Sequence, residues 1–96
     1  MSHQGRFRFQ LYVAGDGLNS AQAIASLTAI CQAHLPDRHE IEIVDVYQHP
    51  ERALADAIFM TPTLVKLAPA PEITIVGTLS DVPIVLQSLG LAAVIV

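Results

Sequence analysis

The chain has 96 residues, 52% of them apolar and only 15% charged, with nine acids against five bases for a net charge of −4. That length sets one domain over residues 1–96 with a modest core, and the apolar share excludes a disordered chain. No run of Lys or Arg exists, which removes the counterion release that drives nucleic-acid binding. Residues Phe7, Phe9, Leu11 and Val13 alternate with Arg8, Gln10 and Tyr12, a period of two that predicts a strand with one face in the core. Gly15-Asp16-Gly17 breaks it, and Asn19 or Ser20 is placed to cap a following helix. Ile24, Leu27, Ile30, Cys31 and Leu35 recur at helical spacing and predict one apolar stripe, ended by Pro36-Asp37.

A second strand is expected over Ile41, Ile43, Val44 and Val46, making a right-handed parallel strand–helix–strand unit. His49-Pro50 opens a second helix with Pro in the first turn, its inner face assigned to Ala53, Leu54, Ala57 and Ile58. Leu64–Leu67 and Ile73–Val76 predict an antiparallel hairpin across the turn Ala68-Pro69-Ala70-Pro71, too rich in Pro for a central strand. Ser80 is placed to cap a third helix that buries Ile84, Val85 and Leu89 and stops at Gly90. The order βαβαββα is that of an α/β, thioredoxin-like domain, a mixed four-stranded sheet with helices on its faces. Such folds place a cis proline before the third strand, and Thr61-Pro62-Thr63 stands there.

Thiol–disulfide chemistry in this fold needs a Cys pair at the start of the first helix, where the helix dipole lowers a thiol pKa. That segment reads Gly15 to Ser20 without a Cys, and the lone Cys31 falls on the apolar stripe as a core residue. The four His residues have no metal-ligand spacing, with His34 and His39 expected at the surface beside a turn. The acids are dispersed, and neither a P-loop nor a GxGxxG is present. No enzyme activity, metal or cofactor is expected. The polar, basic start of the chain and the absence of a spanning segment imply no membrane, and a single Cys fits the reducing cytoplasm. So few surface charges on a small domain favour a homo-oligomer.

Leu11-Tyr12-Val13-Ala14-Gly15, Thr61-Pro62-Thr63-Leu64 and Gly77-Thr78-Leu79-Ser80-Asp81, in this order with Asn19-Ser20, Ile43 to Val46, Pro50, Lys66, Pro69 and Pro71, resemble the KaiB family from about Phe9 to Leu91. The resemblance implies a non-enzymatic clock or clock-like regulator that binds a KaiC-type ATPase and sequesters a KaiA-like protein. The alternative is a sensory module for a histidine kinase or stress regulator. It also implies a metamorphic chain: a free tetramer or dimer with a refolded second half, and a thioredoxin-like monomer that binds partners, with Thr61, Pro62, Pro69, Pro71, Ser88 and Gly90 at switch positions. Partner-binding positions correspond to Asn19, Gln22, Glu42 and Lys66. Asn19 reads equally as a helix cap, and Lys66 reads as a partner contact or as a solvated strand-end lysine. Several family cations are replaced, by Gln22 and Ala25, Glu42, Ala57 and Ile73-Thr74, and an apolar run at 91–96 stands where the family has an acidic tail. That run is expected at a subunit interface.

Overall fold

The structure, a computed structural model, describes residues 6–91. Strand β1 (Phe7–Val13) leads to helix α1 (Leu18–His34), strand β2 (His39–Asp45), helix α2 (Pro50–Ala55), strands β3 (Thr63–Ala68) and β4 (Ile73–Val76), and helix α3 (Val82–Ser88). The sheet order is β2-β1-β3-β4. β1 runs parallel to β2, with Leu11 opposite Ile43, and antiparallel to β3, with Leu11 opposite Leu64. β4 closes the sheet as the second arm of an antiparallel hairpin. The βαβαββα reading therefore holds.

The alternation in β1 does what a period of two dictates. Phe7, Phe9, Leu11 and Val13 face α1 and α3, where they form the main core with Ala23, Leu27, Ile30, Cys31, Leu35, Leu64, Val85 and Leu89. The opposite face carries a much smaller cluster, Tyr12, Val44 and Val65, against which Val46, Ile58 and Leu67 pack. The sheet is thus thickly covered on one side and thinly on the other.

Helix ends differ from expectation. Gly17 is the N-cap of α1, and Asn19 and Ser20 lie inside the helix. Ser20 is buried, its Oγ against the backbone N–H of Ala14 at 3.3 Å and the Ala14 carbonyl at 3.4 Å, so it ties the helix to the end of β1 instead of capping it. Asp81, not Ser80, precedes α3, and the Ser80 hydroxyl pairs with Thr78. Ile84 is exposed while Val85 and Leu89 are buried, because a helix of seven residues turns only one narrow stripe inward. α2 stops at Ala55, so its inward face is Ala53 alone; Leu54 points outward.

Two helix ends share one device. After α3, the Gly90 N–H bonds to the Gln87 carbonyl and the Leu91 N–H to the Leu86 carbonyl, with Gly90 at φ 75. After α2, the Ala57 N–H bonds to Leu54 and the Ile58 N–H to Ala53, with Ala57 at φ 56. This is the paired bonding of a Schellman stop, which wants a left-handed residue just past the helix. Gly90 meets that demand freely, whereas Ala57 meets it against the repulsion of its own Cβ. Ala57 is therefore a terminator and not an inner-face residue. Thr61-Pro62, Ala68-Pro69 and Ala70-Pro71 are cis peptides.

Candidate protein-interaction surface

One end of the molecule gathers the loops that follow β1, β2 and β4 and the loop that precedes β3. Asp45, the last residue of β2, organises it: one carboxylate oxygen accepts the backbone N–H of Gly15 at 3.1 Å and of Tyr47 at 2.9 Å. Gly15 sits at φ +66, and a Cβ there would lie 3.3 Å from the Tyr47 ring. The two loops are thereby drawn together beside Pro62.

Two shallow hollows open on this end. One, of about 440 Å³, is lined by Ala14, Gly17, Leu18, Asn19, Ser20, Thr61 and Pro62. The other, of about 400 Å³, is lined by Val46, Tyr47, Pro50, Ala53, Leu54, Ile58, Phe59 and Met60 and shares Ala14 and Thr61 with the first. Around them stand large apolar side chains in solvent: Leu18, Tyr47, Leu54, Phe59 and Met60, with Phe59 84% and Leu54 74% exposed. An apolar surface on this scale marks a docking site more often than a passive face.

The bases are sorted along the same axis, while acids stand at both ends, with Asp37, Glu40 and Glu72 at the end away from the hollows. Asp16, Asp45, Glu51 and Asp81 lie at this end, with His49 3.6 Å from Glu51. Arg6, Arg8 and Arg38 lie toward the other end, where β1 and β2 begin and β3 finishes, and Lys66 is buried in the middle of β3. The fifth base, Arg52 of α2, is engaged by Glu42 of β2 through two bonds of 2.6 and 2.8 Å. Glu42 also accepts from Gln10, and these donors hold its carboxyl down at about 2. Arg52 is correspondingly raised by Glu42. Tyr12 donates to Asp56 just past α2; burial, then this bond, push its hydroxyl up to about 12. The polar set Gln10, Tyr12, Glu42, Arg52 and Asp56 is what fastens α2 over the thin side of the sheet.

The sequence-predicted residues do not form one surface. Asn19, Thr61 and Pro62 meet in the first hollow. Gln22 is exposed one turn along α1, and Glu42 is committed to Arg52. Lys66 is neither solvated nor at the end of its strand. It is 4% exposed, on the α1–α3 face, with its Nζ 5.7 Å from the centre of the Phe7 ring. Pro69 and Pro71 lie in the hairpin turn away from the hollows, and Ser88 bonds back to the Ile84 carbonyl at 2.9 Å. His39 is half-buried, its Nδ1 2.7 Å from the Leu35 carbonyl, which corrects its surface placement. The apolar run over 91–96 lies outside the described residues beyond Leu91. The exposed apolar set was missed because Leu54 was read as inward. Phe59-Met60, a bulky pair with no strand or helix period ahead of Thr61, was the available signal.

No thiol chemistry is built here. The start of α1 carries no Cys, and Cys31 is fully buried, its thiol pushed up to about 11 by that burial. Among the described residues no cluster of His, Cys, Asp or Glu is placed to hold a metal ion, and no helix is long and apolar enough to cross a membrane.

The fold and the missing thiols define the class: a thioredoxin-like domain without the redox pair. Solved structures agree on the fold, among them the N-terminal domain of SasA from Synechococcus elongatus (TM-score 0.74, 20% identity, 100% of this chain and 94% of that one). Mitochondrial thioredoxin 3 from Saccharomyces cerevisiae also matches (TM-score 0.70, 19% identity, 92% and 81%). The KaiB domain model matches residues 10–91. The chain is 41% identical to the circadian clock protein KaiB3 of a Synechocystis species over 90% of its length and 84% of that protein's. It is 37% identical to the circadian clock oscillator protein KaiB of Synechococcus elongatus, over 95% and 89%. This chain belongs to the KaiB family.

Proposed function

We propose that this chain is a non-enzymatic regulator of the clock type, acting in the cytoplasm by docking on a KaiC-type ATPase through the apolar end of the domain. The observation that carries the reading is the solvent-exposed set Leu18, Tyr47, Leu54, Phe59 and Met60 around two adjoining hollows, in a chain of the KaiB family. A face of this kind supports protein binding, and a thioredoxin-like frame with its one thiol sealed supports a role without catalysis. Asn19 and Thr61 border the hollows and belong to the same docking surface. Self-association of the free chain into a dimer or tetramer, with the second half repacked, belongs to this reading as well.

Co-elution with a KaiC-type ATPase from the same genome, with ATP and incubation over hours, tests it. A stable complex formed by the native chain and lost in Leu54→Asp with Phe59→Asp is the expected result. No complex at tens of micromolar would overturn the assignment of partner and turn the search to sensor kinases and KaiA-like proteins. Light scattering on the free chain reports the oligomer; a monomer at every concentration would remove that part.

A further inference from the structure

The proposed docking end has a charge as well as a shape, and the charge specifies what it accepts. Asp45 accepts the backbone N–H of Gly15 and of Tyr47, in the two loops that supply Ala14 and Tyr47 to the hollows. Asp16 stands between Gly15 and Gly17, and Glu51 follows Pro50. Asp81 closes the same end from the start of α3. The end carries no Lys or Arg: Arg6, Arg8 and Arg38 are at the far end, Lys66 is buried in the middle of β3, and Arg52 is held by Glu42. Apolar side chains in solvent, flanked by the exposed acids Asp16 and Glu51 next to the lining residues Gly17 and Pro50, with the His49 imidazole beside Glu51 and no Lys or Arg, disfavour anionic partners. Nucleic acid, acidic membranes and acidic protein segments are disfavoured on that ground.

We infer that the occupant of this end is a basic, apolar protein segment, one whose bulky side chains enter the hollows beside Leu54, Phe59 and Thr61 while Lys or Arg residues face Asp16 and Glu51. The inference rests on the docking role proposed above and adds the chemistry of the partner. Apolar burial supplies the affinity, and the complementary rim sets encounter rate and discrimination.

The test is a nuclear magnetic resonance titration of the whole labelled chain with two short synthetic peptides, one alternating valine and lysine, the other valine and glutamate. The lysine peptide is expected to shift resonances of Leu18, Tyr47, Leu54, Phe59 and Met60, and the glutamate peptide to leave them in place. Asp16→Lys with Glu51→Lys, both exposed positions, should weaken the lysine peptide about tenfold or more at low salt. Raising the salt should weaken the native chain's binding in the same sense. Equal shifts from both peptides, shifts scattered away from this end, no shifts at about millimolar peptide, or an affinity indifferent to salt would each overturn the inference. The two proposals fail separately. A KaiC-type ring that binds native and charge-reversed chains alike would sink the basic segment and leave the docking role. A lysine peptide that binds where the ring does not would keep the basic segment and remove the ring as its source.

Discussion

The first half of the described chain, β1, α1 and β2, and the second half, from Val46 onward, are built to different standards. The first has elements of 7, 17 and 7 residues, and its apolar side chains form the bulk of the main core. The second has elements of 6, 6, 4 and 7 residues. It also holds Tyr47, Leu54, Phe59, Met60, Val76, Val82 and Ile84, all large apolar residues in solvent, against Leu18 and Ile43 in the first half. Burial anchors the first half; the second adds Leu64, Val65, Leu79, Val85 and Leu89 to the cores and relies besides on the Arg52–Glu42 pair, helix stops and tight turns. Ala57 and Leu79 both sit at positive φ there, a cost that packing has to offset. Apolar surface spared from the core is concentrated in the half with the shorter elements, and it is this surface that the proposed docking role uses.

The largest expected effect sets the two halves directly against each other. Leu27→Ala, at a fully buried site of α1, should cost about 2–5 kcal/mol, because the cavity cannot close. Leu54→Ala, on the exposed side of α2, should stay within about 0.5 kcal/mol. Urea midpoints for the pair measure this, and equal losses would break the comparison.

Next in size is the bond that fastens α2. Tyr12→Phe removes the hydroxyl that Asp56 accepts and should cost about 1 kcal/mol. The native chain should also lose stability as pH rises from 10 toward about 12. The folded hydroxyl titrates above its ordinary value of 10.0, so its neutral form favours folding below that pH and the advantage disappears through the window. The phenylalanine variant should lack this step. An unchanged alkaline limb would show that α2 is held by something else.

The two helix stops give a smaller, signed test. Ala57→Gly should stabilise by about 0.5–1 kcal/mol, since the left-handed strain relieved exceeds the added freedom of the unfolded chain. Gly90→Ala should destabilise by a similar amount or more. Thermal melts with the same sign for both would show that the stops are not equivalent.

The smallest effect is acidic. Glu42 keeps its charge down to about 2, against an ordinary value of 4.5, so its contribution is full above the ordinary value and fades as pH falls toward the lower one. Its side chain is half exposed, so the step is shallow. Glu42→Gln should flatten the acid limb between those values, and an identical limb would remove the pair from the account.

Much of the fold was legible. The alternation in β1 and the stripe in α1 are strong periodic signals over long elements, and the stripe alone places Cys31 in the core. The hairpin was legible from its Pro-rich turn. The ends of elements were not, because a Ser or Asn near a helix start is compatible with several local bonds; Ser20 tied itself to Ala14 instead of capping. Lys66 looked like a surface cation because its charge argues for water, while its position in a central strand, opposite Phe9 and beside Phe7, buries its stem. The proposed docking surface was the least legible part. Whether Leu54 faces in or out depends on α2 ending at Ala55, and that stop is made by Ala57, a residue type that does not advertise a left-handed turn.

The sulfur atoms give the exposed end a further meaning. Cys31 is fully buried between α1 and the sheet, out of reach of an oxidant in the folded chain. Met60, 63% exposed, stands in the wall of the second hollow. Peroxide would therefore turn a flexible apolar wall into a polar sulfoxide, which reductases can reverse, while the sheet and α1 stay intact. Under the docking role proposed above, oxidative stress would silence the binding surface before it harmed the fold.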